Sequence, residues 1–225
     1  MREETVSPAA YRYRPHWEVL PAGTHLWRIH KSRYAAGEFR PFVPQGSSTG
    51  RFDSTPEDPY PFLYAALDAE TALAETLLRS HDRDLGTGMR LVPLAQVRGR
   101  SLNGVRTLCE MRLVSLCSGA ALAAVRQDND LLESEGPGRY AWTRDWAREL
   151  RAQVPEAMGM IWGSKRNPSR RAMVLFGDRF ADCADGPLEA LPYRNIPDLG
   201  SPEGVKEANQ LLEPLSSAIW GPLGD

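Results

Sequence analysis

Lysine is almost missing from this chain of 225 residues: Lys31, Lys165 and Lys206 are the whole complement, so 24 of its 27 basic residues are arginine (27 less three). A GC-rich coding bias accounts for such a skew on its own, yet it also supplies the planar, bidentate cation that suits phosphates. An excess of one charge is missing too. The 27 basic and 29 acidic residues leave a net charge of -2, so no direct nucleic-acid or anionic-membrane binding is expected and any anion site must be local. Cysteine is scarce: Cys109, Cys117 and Cys183 are odd in number and show no CxxC or Cys/His spacing. Neither a disulfide framework nor a zinc site is expected, and a reducing cytoplasm fits best. No apolar run approaches the length of a membrane helix, and "MREETVSPAAYRYRPHWEVL" lacks the apolar centre of a signal peptide. The expectation is a soluble protein that is not exported by that route.

Motifs are missing as well. There is no Gly-rich dinucleotide fingerprint, Walker loop, HExxH or GxSxG, and His16, His25, His30 and His81 have no ligand spacing. What is present is a hydrophobic content of 42%, enough for one domain with a real core. Residues 1–24 match neither helix nor strand well and suggest an N-terminal arm. "HLWRIH" alternates as a strand, with Arg28 opposite Trp27 and Ile29. A Pro-rich loop over residues 40–59 is interrupted by "GRFD". "FLYAAL" predicts a strand, and Asp68 can cap a helix from Ala69 to about Arg79. Further strands are expected in "MRLVPLAQV", "RLVSL", "GMIW" and "AMVLFG", and an amphipathic helix in "YAWTRDWARELRAQV". The last two strands flank the loop "GSKRNPSRR"; beyond Asp185 the chain is rich in Pro and Gly apart from the helix-like "GVKEANQLLEPL".

A scattered set of Arg, Tyr, Glu and Ser stands at the ends of these elements, and each member has a plain structural reading beside a functional one. Arg28 suits the solvent face of an edge strand. Arg51 suits a salt bridge with Asp53 or Asp58. Ser164 suits a turn. Glu75 lies off the face shared by Ala69, Ala72, Leu73, Thr76 and Leu77, where pairing with Arg79 at i, i+4 would suffice. However, Ala74 and Leu78 make the helix apolar on a second side, which favours a carboxylate lining a cleft.

In order and spacing, "LWRIH", "GRFD", "FLYAALDAETALAETLL", "YAWTRDWA" and "GMIWGSKRNPSRRAMVLFGDR" together resemble the RES domain family, named for its Arg, Glu and Ser motif. The resemblance implies an α+β, ADP-ribosyltransferase-like single domain with central β-sheets flanked by helices, spanning residues 25–184 between the arm and a C-terminal extension over residues 185–225. It implies a cytoplasmic toxin of a toxin-antitoxin pair that degrades NAD+ as substrate, without a metal or bound cofactor, and a cognate Xre-type antitoxin as partner. Carried over by motif, Glu75, Arg28 and Ser164 are the catalytic candidates, and Arg51, Tyr64 and Tyr34 the substrate-binding ones. Where the family commonly has Gly-Gly-Arg-Trp, this chain has Thr49, Gly50, Arg51 and Phe52. Cleavage of the nicotinamide-ribosyl bond passes through an oxocarbenium-like state, and Glu75 would supply the anion beside it. Water, inorganic phosphate as co-substrate, or a protein side chain as in an ADP-ribosyltransferase are the open acceptors. A non-catalytic nucleotide-binding module is the alternative of another class.

Overall fold

The computed structural model describes residues 12–43, 50–133 and 136–222, so Thr49 lies outside the described residues. One sheet of eight strands organises them: β1 (His16–Leu20), β2 (His25–Lys31), β3 (Phe62–Ala66), β5 (Arg100–Thr107), β6 (Met111–Ser115), β7 (Gly159–Gly163), β8 (Arg171–Phe176) and β9 (Leu188–Ile196), in the order β1-β6-β7-β8-β3-β2-β5-β9. Two further strands, β4 (Arg90–Pro93) and β10 (Ser217–Trp220), pair in parallel beside it. In the large sheet β6 and β7 run parallel, joined by a connection through α2 (Gly119–Ala124), α3 (Asp130–Glu133) and α4 (Pro137–Gln153). Between β2 and β3 the only registered pair is Trp27 with Ala66, so the sheet nearly parts there.

Both faces of the sheet are covered, which is why its middle strands read as continuous apolar runs. Along β8, Ala172, Val174 and Phe176 enter the main core, while Met173 and Leu175 enter a second core on the other face. Helices α1 (Ala69–Leu73), α4 and α5 (Pro202–Leu212) contribute to the main core; in α4, Trp146 and Leu150 are fully buried and Trp142 packs beside them. This is the expected α+β class, a large sheet flanked by helices.

Several expectations are corrected. The described part of the expected N-terminal arm, from residue 12 to 24, includes a strand of the sheet, because β1 pairs with β6 along its whole length, from His16 opposite Ser115 to Leu20 opposite Met111. Residues 185–225 likewise give β9 to the large sheet and bury Ala208, Leu212 and Ile219 in the main core. The strand Arg100–Thr107 escapes the sequence pattern because Arg100, Asn103, Gly104 and Arg106 interrupt its apolar alternation. The cysteine expectation fails: Cys109, in the turn between β5 and β6, is disulfide-bonded to Cys183 across 74 residues, and Cys117 is free. Spacing conceals such a pair, since folding alone brings both residues beside the second core. A disulfide of this kind does not suit the reducing compartment that the cysteine spacing suggests. No helix among the described residues is long and apolar enough to cross a membrane.

Candidate active site

Asp68 caps α1 as its sequence position suggests, accepting from the Thr71 amide at 2.8 Å. The helix then changes character. From Ala74 to Leu78 it winds as a π turn instead of continuing to Arg79 as an α-helix. A π turn shifts every later side chain round the axis relative to the α pattern, and such turns gather at functional sites. Glu75 belongs to it, so an α-helical wheel misplaces this residue.

Facing the π turn is the end of β7, where Trp162 and Ser164, two residues apart, share a side of the chain. The Glu75 carboxylate collects four donors there. Oε1 accepts from Ser164 Oγ at 2.9 Å and from the Lys165 amide at 3.1 Å. Oε2 accepts from Trp162 Nε1 at 3.2 Å and from Arg79 Nη1 at 3.4 Å. The expected Arg79 pair therefore exists, but it is no surface pair: the two side chains are 13% and 14% exposed, and the Arg79 contact is the longest of the four. Burial lifts the Glu75 carboxyl above its usual range, while Ser164, Trp162 and Lys165 pull it part of the way back.

The loop after β7 is fixed to the same helix. Asn167 donates from Nδ2 to the buried Thr71 hydroxyl at 3.0 Å, and its amide donates to Ser164 Oγ at 3.2 Å. Arg166 takes the C-terminal carbonyls of the π turn, donating to Leu78 O at 3.1 Å and Arg79 O at 2.9 Å. These are groups that every helix end leaves without an internal partner. Ser164 is thus a turn residue and the immediate partner of Glu75 at once.

A second set of contacts runs from Trp162 to the "GRFD" segment. Phe52 meets the Trp162 ring edge-on, with centroids 5.4 Å apart. Its amide donates to the Tyr64 hydroxyl and its carbonyl accepts from Tyr60, both at 2.9 Å. Arg51 is 5% exposed, and Thr143 Oγ1 fixes its carbonyl at 2.7 Å. The expected salt-bridge partners are engaged elsewhere: Asp58 accepts from Arg151 at 2.7 Å, and Asp53 holds the Gly50 amide at 2.9 Å with Arg40 at 3.9 Å. The Arg51 guanidinium keeps Nε and Nη1 buried with no hydrogen-bond partner. Two such donors in a dry place fit an anion that a ligand brings. Gly50 is required by close approach, since a Cβ there would lie 2.1 Å from Asp53 Oδ1 and 2.8 Å from the Tyr64 hydroxyl. Gly50→Ala is expected to lower stability by about 1–3 kcal/mol, measured by urea unfolding.

The other sequence candidates are placed differently. Tyr64 contributes its hydroxyl to order the Phe52 backbone, and burial, then the nearby Asp53 charge, push its ionisation well above the ordinary range. Arg28 is 7% exposed on a strand between two others, so it is not on a solvent face. It lies on the Leu26 side of β2, whereas the Glu75 helix packs with the Trp27 side. Its Nη1 donates to Ala36 O at 2.9 Å and Glu38 O at 2.7 Å, and burial lowers its pKa to about 10, which still leaves it charged at neutral pH. Tyr34 is 38% exposed and its hydroxyl accepts from Arg33 Nη2 at 3.0 Å. The structure thus brings together Glu75, Ser164 and, through Trp162 and Phe52, Tyr64 and Arg51. It holds Arg28 and Tyr34 in other contacts.

Trp162, Asn167 and Arg166 are the site residues that the motif reading passed over. The two-residue spacing of Trp162 and Ser164 was a usable signal for the first. Among the described residues no group of three His, Cys, Asp or Glu could hold a metal. A cleft of about 740 Å³ opens at the far end of the same helix, lined by Trp27, Asp68, Glu70, Leu102 and Ile196. Another, of about 400 Å³, runs beside Thr76 and Leu77.

Comparison with known proteins adds a family and a fold. The family model described as RES domain matches residues 25–194. No curated protein matches the chain. Among solved structures, the toxin of the M. tuberculosis MbcT-MbcA toxin-antitoxin complex is similar, with a TM-score of 0.56 at 12% identity, over 79% of this chain and 85% of that one. At that identity the likeness speaks for the fold.

Proposed function

Because the chain belongs to the RES domain family, we propose that it degrades NAD+ by cleaving the nicotinamide-ribosyl bond and acts as the toxin of a toxin-antitoxin pair. The observation that carries this reading is the Glu75 carboxylate, largely withdrawn from solvent yet supplied with hydrogen-bond donors, a few contacts from a buried arginine whose Nε and Nη1 have no hydrogen-bond partner. Nicotinamide leaves with the electron pair of the broken C–N bond, and positive charge develops on the ribose. An anion held in a dry site stabilises that charge far better than one in water. All four acceptor positions of Glu75 are filled, so a ribose hydroxyl must displace a donor, and the long Arg79 contact is the weakest. Arg51 would take the pyrophosphate in the fork geometry of a guanidinium.

Tyr64, expected to bind substrate, would serve by ordering the arginine-bearing loop, and Arg166 would hold the end of the helix that carries Glu75. The acceptor is water or inorganic phosphate: water attacking the anomeric carbon gives ADP-ribose and releases a proton, and phosphate gives ADP-ribose 1''-phosphate. A cytoplasmic site of action follows from where NAD+ is held. The partner would be an antitoxin, as the similar M. tuberculosis structure is a complex of toxin and antitoxin, and of the Xre type by the motif resemblance alone.

The test is to incubate pure protein with NAD+, with and without phosphate, and identify products by mass spectrometry. Nicotinamide is expected in both cases. A rate that rises with phosphate and yields the 1''-phosphate identifies phosphorolysis; a rate indifferent to phosphate, with ADP-ribose as product, identifies hydrolysis. If folded protein releases no nicotinamide, the proposal fails.

A further inference from the structure

We propose that the cleft of about 400 Å³ beside Thr76 and Leu77 is a separate anion site that binds a phosphate-bearing ligand. Its cations are Lys31, Arg98 and Arg100, its neutral polar groups include Thr76 and Gln96, and no carboxylate among the described residues lines it. Strand register explains the convergence. Lys31 pairs directly with Arg100 across β2 and β5, so both project from the same face, continuing the row of Trp27 and Ile29 on one strand and Leu102 on the other. Like charges placed directly opposite each other destabilise a sheet unless something neutralises them.

Among the described residues nothing does so. Lys31, Arg98 and Arg100 make no ion pair or side-chain hydrogen bond with the described residues, whereas Arg106, on the same strand as Arg100, is paired with Glu189. The nearby Asp198 carboxylate is turned to the Gly200 amide at 2.9 Å. The backbone under the cations is fixed: the Ser32 amide donates to Gly99 O and the Leu199 amide to Arg100 O, both at 2.9 Å. The cavity, three uncompensated cations and a hydroxyl donor match the chemistry of a phosphate group. The site stands on the face that carries the Glu75 helix, but Glu75 turns toward Ser164 while Thr76 lines this cleft. The proposal therefore does not depend on NAD+ cleavage.

Titration of the full chain with inorganic phosphate and, separately, pyrophosphate, followed by calorimetry at low ionic strength, tests it. Saturable binding is expected, at least tenfold weaker in Arg98→Gln/Arg100→Gln and clearly weaker in the milder Lys31→Gln. The control Arg139→Gln/Arg148→Gln removes the same charge from α4 and should bind like the parent protein. Tighter binding of pyrophosphate would point to a nucleotide as the source of the anion; comparable binding would point to free phosphate. Equal affinity in the parent and the Arg98/Arg100 variant, or no saturable binding of either anion, overturns the site. NAD+ turnover is not part of the readout, so either proposal can fail alone.

Discussion

Glu75→Gln is expected to reduce NAD+ consumption by about a hundredfold or more, the usual cost of losing a catalytic anion, with Tm within a few degrees of the parent. The two halves of this expectation have separate causes. An acid whose folded pKa is raised carries its charge against the cost of burial, so that charge does not stabilise the fold. Removing that charge relieves desolvation. Against this, the glutamine NH2 must face one of the donors now aimed at the carboxylate, a mismatch costing about 1–3 kcal/mol. The terms oppose each other and the net change is small. Arg79→Ala, which removes the longest of the contacts, should be much milder. The same raised pKa fixes the sign of the pH dependence: as pH falls, the carboxylate is lost earlier than an ordinary glutamate would be, so activity should decline on the acid side above the usual carboxylate range. Near-normal turnover in Glu75→Gln would move the catalytic anion elsewhere.

Arg51→Met should shift stability and affinity in opposite directions. In the free protein Arg51 is 5% exposed, with two nitrogens lacking a hydrogen-bond partner and the Phe52 ring as a contact of its guanidinium, and a buried charge so thinly compensated is costly. An unbranched apolar side chain removes that cost and keeps contact with Phe52. A gain of about 1 kcal/mol, or roughly 2–4 °C in Tm for a chain of this size, is expected. NAD+ affinity should fall at least tenfold, because a charge-assisted bidentate contact to phosphate is lost. Thermal unfolding with and without NAD+ reads both effects, using a catalytically slow Glu75→Gln background to keep the ligand intact. A drop in Tm together with unchanged affinity would make Arg51 a structural residue.

What could be read from the sequence divides along a physical line. Local signals survive folding: Asp68 at its cap, the apolar runs of β7 and β8, and the helix bearing Trp146 and Leu150 depend on neighbours a few residues away. The motif resemblance named Glu75, Ser164, Arg51 and Tyr64, which the fold connects. What a pattern cannot carry is the consequence of distant pairing. The π turn depends on its surroundings as well as its own letters, so the wheel put Glu75 near the surface. Arg28 looked exposed because one strand does not reveal its neighbours on both sides. The Cys109–Cys183 bond and the place of β1 each join residues far apart in the chain.

The near-parting of the sheet between β2 and β3 leaves its two parts unequal in their relation to the family signature. The inherited signature ends at residue 194, yet β9 continues to Ile196 and the main core draws on Leu212 and Ile219; at the other end β1 precedes its first residue. A recombination event that moved only the signature would strip β6 of its β1 neighbour, exposing a row of unpaired backbone groups, and would open the main core where α5 docks. The stretch that heredity marks is therefore smaller than the stretch that folds, and transplantation of this domain between proteins has to carry both flanks with it.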